Sequence, residues 1–194
     1  MNDKVIENEA SPMEGRLQYI LGEVNEWLRY AEQKNAGVLV FNCTLAAAIV
    51  TILPQCASAD TLCAWWVRSI LLLLALSAVT ALCSFIPRID LAFLKRRKEH
   101  HRADNLVFFG EAANYDPEAY LKALYLSCNL AESENAPAFM RHYAEQIVQN
   151  SRIAKRKFEV FKVAVWLTVA AFVTIPVALV LFIFLCWKKC NDDY

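Results

Sequence analysis

Three long apolar runs alternate with polar, helix-patterned segments along this chain. The runs are Ala36–Leu53, Ile70–Ile86 and Val163–Trp187, and none contains Asp, Glu, Lys, Arg or His. Lipid offers no water to satisfy charges or backbone groups, so uncharged runs of this length predict spanning helices. At about 1.5 Å per residue, Ala36–Leu53 covers roughly 27 Å of a hydrocarbon core about 30 Å thick. The third run is longer and carries Pro176 near its middle.

The segments between the runs have helical period. Before the first run, Met13, Leu17, Ile20, Leu21, Val24, Trp27, Leu28 and Ala31 recur on one face, with Glu14, Glu23, Glu26 and Glu32 opposite. Ser11, Pro12 and Glu14 form a start signal of the capping-box kind. That face is acidic, unlike a membrane-surface helix, so it is expected to pack on another helix of this chain or of a copy. No strong breaker precedes the first run, and the helix is expected to continue into it. After the second run comes a basic amphipathic stretch, Arg88 to Arg102. An aromatic stretch follows, Asn105 to Asn114. Asp116-Pro117-Glu118 then predicts a helix bearing Tyr120, Leu121, Leu124, Tyr125 and Cys128. Pro137 opens a last helix with apolar positions Phe139, Tyr143, Ile147, Ile153, Ala154, Phe158 and Phe161. It meets no Pro or Gly before Pro176 and is expected to run into the third span.

Charge sets the orientation. Arg29, Lys34, Arg88, Lys95 to Lys98, Arg102, Arg152, Lys155, Arg156, Lys157 and Lys162 flank one side of the runs; Arg68, Lys188 and Lys189 lie near the other. The positive-inside rule puts the N-terminus and the middle segment in the cytoplasm. Trp65, Trp66 and Trp187 fall together at the opposite boundary, where indoles prefer to sit. The formal net charge is +0, so the information lies in placement rather than in the sum. The polar, acidic N-terminus gives no expectation of a cleavable signal peptide. The fold class is therefore all-α, with three transmembrane helices, an N-terminal amphipathic helix and a small helical cytoplasmic region. The expected layout is 1–35 N-terminal helix, 36–53 first span, 54–69 periplasmic loop, 70–86 second span, 87–162 cytoplasmic sensor region, 163–187 third span and 188–194 periplasmic tail.

Enzyme chemistry finds little support. No nucleophile elbow and no phosphate-binding glycine loop occur, and the chain has only four glycines. The seven cysteines follow no zinc spacing, adjacent His100 and His101 point apart on a helix, and no metal site is expected. Cys56 and Cys63 share the outer segment, where oxidation is possible, but unpaired thiols are the expectation. The densest charge, Lys95-Arg96-Arg97-Lys98 with Arg102, suits an anchor on anionic lipid or an anion site. For the second use, Arg96, Arg97, Arg102, Arg152 and Lys155 are candidate phosphate ligands, Phe108 and Phe109 candidate stacking rings, and Gln146 a polar contact. Ordinary helix packing is the competing use of the aromatics. Asn42, Thr44, Ser77, Thr80 and Ser84 inside the runs are expected to bond across helices.

Trp27–Asn42 (WLRYAEQKNAGVLVFN), Pro87-Arg88-Ile89, Leu106–Tyr120 (LVFFGEAANYDPEAY) and Tyr143–Phe161 (YAEQIVQNSRIAKRKFEVF) resemble, in this order, the Pycsar transmembrane effector family of bacterial anti-phage defence. The resemblance implies activation by a cyclic pyrimidine nucleotide, cyclic CMP or cyclic UMP, made by a cyclase encoded in the adjacent gene. It implies an inner-membrane protein that impairs membrane integrity so that the infected cell dies before phage is released. Its partners would be that nucleotide, the cyclase, the lipid bilayer and further copies of the chain in a homo-oligomer, with no nucleic acid polymer and no cofactor. The alternative is a constitutive membrane-anchored scaffold without ligand gating.

Overall fold

The computed structural model describes residues 12–59, 61–86, 105–130 and 137–192, with side chains omitted at 52–53, 55–59, 61–63, 175, 178–179 and 181–192. Ser11, the basic stretch from Arg88 to Arg102, and the Cys56 and Cys63 side chains therefore lie outside what is described. Within the described residues there are five helices and no strand: α1 (Pro12–Ala59), α2 (Thr61–Cys83), α3 (Phe109–Ala112), α4 (Pro117–Ser127) and α5 (Ala138–Asp192). The expected continuity holds: α1 joins the N-terminal stripe to the first apolar run, and α5 passes from Ala138 through Pro176. One expectation differs. Residues 54–69 read as a loop but are helical on either side of Asp60. Ala-rich sequence favours helix around Pro54, and Thr61 to Trp66 adds apolar helix formers with no Gly or Pro to interrupt them.

The chain forms two compact units. The first takes residues 1–30 and 89–156. Its core joins Met13, Leu17, Ile20 and Val24 of α1 to Met140, Ala144, Ile147, Val148 and Ala154 of α5, with Leu106, Phe109, Tyr115, Tyr120, Leu121, Leu124 and Tyr125 from the intervening segment. The alternating three- and four-residue spacing on both helices is that of a coiled-coil seam. Here α1 and α5 run parallel: Gln18 donates to the Tyr143 hydroxyl (3.2 Å) and Asn150 donates to Asn25 (2.8 Å), seven residues further along each helix. Helix α4 starts where Asp116-Pro117 directs, with extended Asp116 before it and Pro117 in its first turn. It ends in a Schellman turn: Asn129 takes φ 53°, Asn129 N–H donates to Leu126 O (3.2 Å) and Leu130 N–H to Tyr125 O (3.1 Å). Phe139 departs from its expected core role. It stands exposed in the first turn of α5, edge-on to Tyr143 at 4.8 Å.

The second unit takes residues 31–88 and 157–194. Two of its helical segments, within Pro12–Thr51 and Ala64–Cys83, are long and apolar enough to cross a membrane, and only 11% and 22% of their apolar windows are buried. What is buried is small or polar: Ala31, Ala64, Ala81, Ala164, Ala171, Asn35, Asn42, Ser77 and Ser84, with a cluster at Ile70 and Leu74. Asn42 and Ser77 bond across helices as expected, Asn42 Nδ2 donating to Ser77 Oγ at 2.7 Å. Thr44 and Thr80 turn back instead to the carbonyls of Val40 and Leu76 in their own helices.

Candidate functional site

The first unit brings a polar stretch of α5 against the corner between α3 and α4. Asn105 opens that corner by accepting the Val107 N–H on its side chain (3.2 Å) and the Phe108 N–H on its carbonyl (3.0 Å). Four residues of helix follow, and the chain turns again through Ala113, Asn114 and Tyr115 into α4. The last carbonyls of such a short helix have no partner within it and carry partial negative charge. Two α5 cations meet them. Arg152 donates through Nε to Ala113 O (3.2 Å) and through Nη2 to Tyr115 O (2.7 Å), with Asp116 Oδ1 at 4.0 Å. Lys155 Nζ donates to Asn114 Oδ1 at 2.9 Å. Both cations are half-buried. Their helix spacing of three puts them on one side, and the turn supplies the oxygens.

Aromatic side chains flank the corner. Phe108 and Phe109 are adjacent in sequence but divide their roles: Phe109 is 8% exposed and Phe108 42%. The Phe109 ring lies 5.5 Å from Trp27 of α1 and 4.7 Å from Phe108, and Trp27 meets Tyr30 edge-on at 6.1 Å. Phe109 is thus a core ring, and Phe108 is the one whose face water reaches. Phe108 also lies across Gly110, where a Cβ would stand 2.3 Å from the ring. Tyr120 closes the corner from beneath, donating its hydroxyl to Leu106 O (2.7 Å) and meeting Tyr115 edge-on at 6.0 Å. Burial pushes the pKa of its phenol well above the ordinary value, with Tyr115 adding to the effect.

Of the residues singled out from sequence, Arg152 and Lys155 converge on one corner, Phe108 lines its exposed side, and Phe109 packs inside. Gln146 is exposed on α5, two turns before the cations. Ser151 is fully buried and its hydroxyl has no partner. Arg96, Arg97 and Arg102 lie outside the described residues. Sequence reading missed Trp27 as a partner of the aromatic segment and Asn114 as the acceptor for Lys155. The signal for Asn114 was its place at the end of a short helix before Asp-Pro, where side-chain acceptors gather.

The comparisons agree with this arrangement of segments. The model of the PycTM Pycsar effector protein domain matches residues 16–184, which takes in both units. A Pycsar effector protein of Propioniciclava tarda, PtPycTM, is 32% identical over 144 residues, covering 72% of this chain and 65% of that protein. RsPycTM, a Pycsar effector protein of a Rhizobium species, is 29% identical over 157 residues, covering 79% of this chain and 87% of its own length. No solved structure matches. With the family model spanning most of its length, the chain belongs to the PycTM family of Pycsar effector proteins.

Proposed function

We propose that this protein is an inner-membrane effector of anti-phage defence, switched on by cyclic CMP or cyclic UMP from a partner cyclase and acting by impairing the membrane. Beyond family membership, the observation that carries the reading is the inverted burial of the second unit, whose large apolar side chains face outward and whose small and polar ones face inward. That is how helices pack when the solvent is lipid. The third span, Val163–Trp187, lies within α5, and the basic flanks favour a cytoplasmic N-terminus. The first unit is then the cytoplasmic sensor. Arg152 and Lys155, with Arg96, Arg97 and Arg102, are its candidate phosphate ligands and Phe108 its candidate stacking face. A cyclic phosphate would compete with Ala113 O, Tyr115 O and Asn114 for the two α5 cations and so loosen the α3–α4 corner.

The specific observation favouring an ungated scaffold is that both cations already have partners within the chain. One experiment separates the two readings. Cells producing the protein are supplied with cyclic CMP or cyclic UMP by a cyclase, and membrane potential is followed by a fluorescent dye. Depolarisation only when nucleotide is made is the expected result. A potential unaffected by either nucleotide overturns the effector reading. Titration of the purified protein with each nucleotide then tests the corner: Arg152→Gln is expected to weaken binding by about tenfold, the loss of one charge-assisted hydrogen bond.

A further inference from the structure

Four buried polar side chains of the second unit fall in two layers. On α1 they are Asn35 and Asn42, and on α2 and its C-terminal turn Ser77 and Ser84. Each pair is seven residues apart, about 10.5 Å along a helix. Helices α1 and α2 follow one another with a single residue between them and run antiparallel, so the contact of Asn42 with Ser77 sets Asn35 level with Ser84. Helix α5 contributes to both layers with backbone carbonyls that are also seven apart: Lys157 O accepts from Asn35 Nδ2 (3.1 Å) and Ala164 O from Ser77 Oγ (2.6 Å). The end of α2 is held at the first of these, with the Phe85 ring 5.8 Å from Lys157 Nζ.

The layers differ in how well they are satisfied. At Asn42 the ring is closed. Asn42 Nδ2 donates to Ser77 Oγ (2.7 Å), Ser77 and Thr168 hydroxyls lie 3.0 Å apart, and Thr168 donates to Asn42 Oδ1 (3.0 Å). At Asn35 it is open. Asn35 Oδ1 and Ser84 Oγ are both buried and have no hydrogen-bond partner. Buried polar atoms of this kind are the usual seats of internal water. Lys157 is paired with Glu32 at 2.9 Å, so the open layer carries no unpaired charge.

We infer that these layers form a narrow polar route for water and small monovalent cations, with a water site at Asn35 and Ser84 and a gate at Asn42, Ser77 and Thr168. The gate is shut by its own hydrogen bonds. If α1, α2 and α5 part there, the amide and hydroxyls lose their partners amid apolar side chains, and water must follow to satisfy them. No formal charge lies at the gate, so passage is limited by width. The inference rests on the membrane-effector reading and sharpens it: damage takes the form of selective leakage rather than rupture of the bilayer.

Two measurements test it on the full-length protein in vesicles of phosphatidylethanolamine and phosphatidylglycerol. The first needs no nucleotide. With native cysteines replaced by alanine, Ser84→Cys is expected to react with methanethiosulfonate ethylammonium from water, and Ser77→Cys to stay unlabelled. The second adds cyclic CMP or cyclic UMP to vesicles holding a potassium gradient and an entrapped fluorescent dextran. Potassium is expected to escape and dextran to remain. Thr168→Val is expected to cut the potassium flux about tenfold, the effect of one lost polar partner, with nucleotide binding unchanged. Absence of labelling at Ser84→Cys, or escape of dextran together with potassium, overturns the inference. Labelling as expected with neither nucleotide causing leakage counts against the activating ligand, and the water site stands.

Discussion

The two units bury opposite kinds of residue. In the first, the fully buried side chains include Leu17, Val24, Tyr120, Ile147 and Val148. In the second they are Ala, Asn and Ser with few large exceptions such as Leu74, whereas Val40 (65%), Trp166 (64%) and Leu72 (61%) lie outward. Both units draw helix from the same α1 and the same α5, so helix propensity does not explain the difference. The solvent does. Water drives large apolar surface inward, about 25 cal/mol for each Å² removed. Lipid tails give no such drive, and helices then approach through small residues and bond through polar ones. The comparison teaches that one helix can serve two solvents by changing which positions on it are large.

The largest effect should come from the core of the first unit. Ile147→Ala is expected to destabilise by about 2–5 kcal/mol, because Ile147 is fully buried and a cavity remains. Val40→Ala, on the outward face of the second unit, should stay within about 0.5 kcal/mol. Thermal unfolding in detergent micelles, followed by circular dichroism, measures both. Equal losses would break the contrast between the units. The reverse substitution sharpens it. Ala164 is fully buried, so Ala164→Leu has no space and should cost about 1–3 kcal/mol in the second unit. A neutral result in the same unfolding measurement would mean that the seam is loose and that small residues there are not needed for close packing.

Much of this architecture was legible because periodicity and breakers are local properties. Met13, Leu17, Ile20 and Val24 announce their buried face, Asp116-Pro117 fixes the start of α4, and the lack of Gly or Pro between Pro137 and Pro176 makes α5 continuous. Residues 54–69 misled because Pro54 and the polar residues near Asp60 look like a loop, yet both flanks remain helical. The site was legible only as a set of residue types. Arg152 and Lys155 were picked for charge, but their partners are Ala113 O, Tyr115 O and Asn114, set by a tertiary contact that no spacing encodes. Phe108 and Phe109 look alike in sequence, and it is the neighbouring Trp27 that takes one and leaves the other. Thr168 sat unnoticed in an uncharged run, since one hydroxyl does not disturb an apolar pattern. Its role comes from Asn42 and Ser77 on other helices.

The smallest expected effect tests whether the first unit answers to bulk water as a soluble domain does. The Tyr120 hydroxyl is buried and donates to Leu106 O at 2.7 Å. Burial disfavours the phenolate, and the phenol in the folded state therefore holds its proton at pH values where the unfolded chain, near the ordinary value of 10.0, releases it. The folded state binds more protons than the unfolded state above that value. Stability must then fall as pH rises beyond about 10, whereas at neutral pH the group is un-ionised in both states and its contribution is complete. Tyr120→Phe removes the titration and leaves the Leu106 carbonyl without its donor. The expected cost at pH 7 is about 1–2 kcal/mol, the net value of a buried hydrogen bond. The difference between wild type and variant should shrink, then reverse, as unfolding is repeated at increasing pH above 10. A difference that stays constant with pH would mean that Tyr120 reaches water, and that this core is more open than the contact with Leu106 indicates.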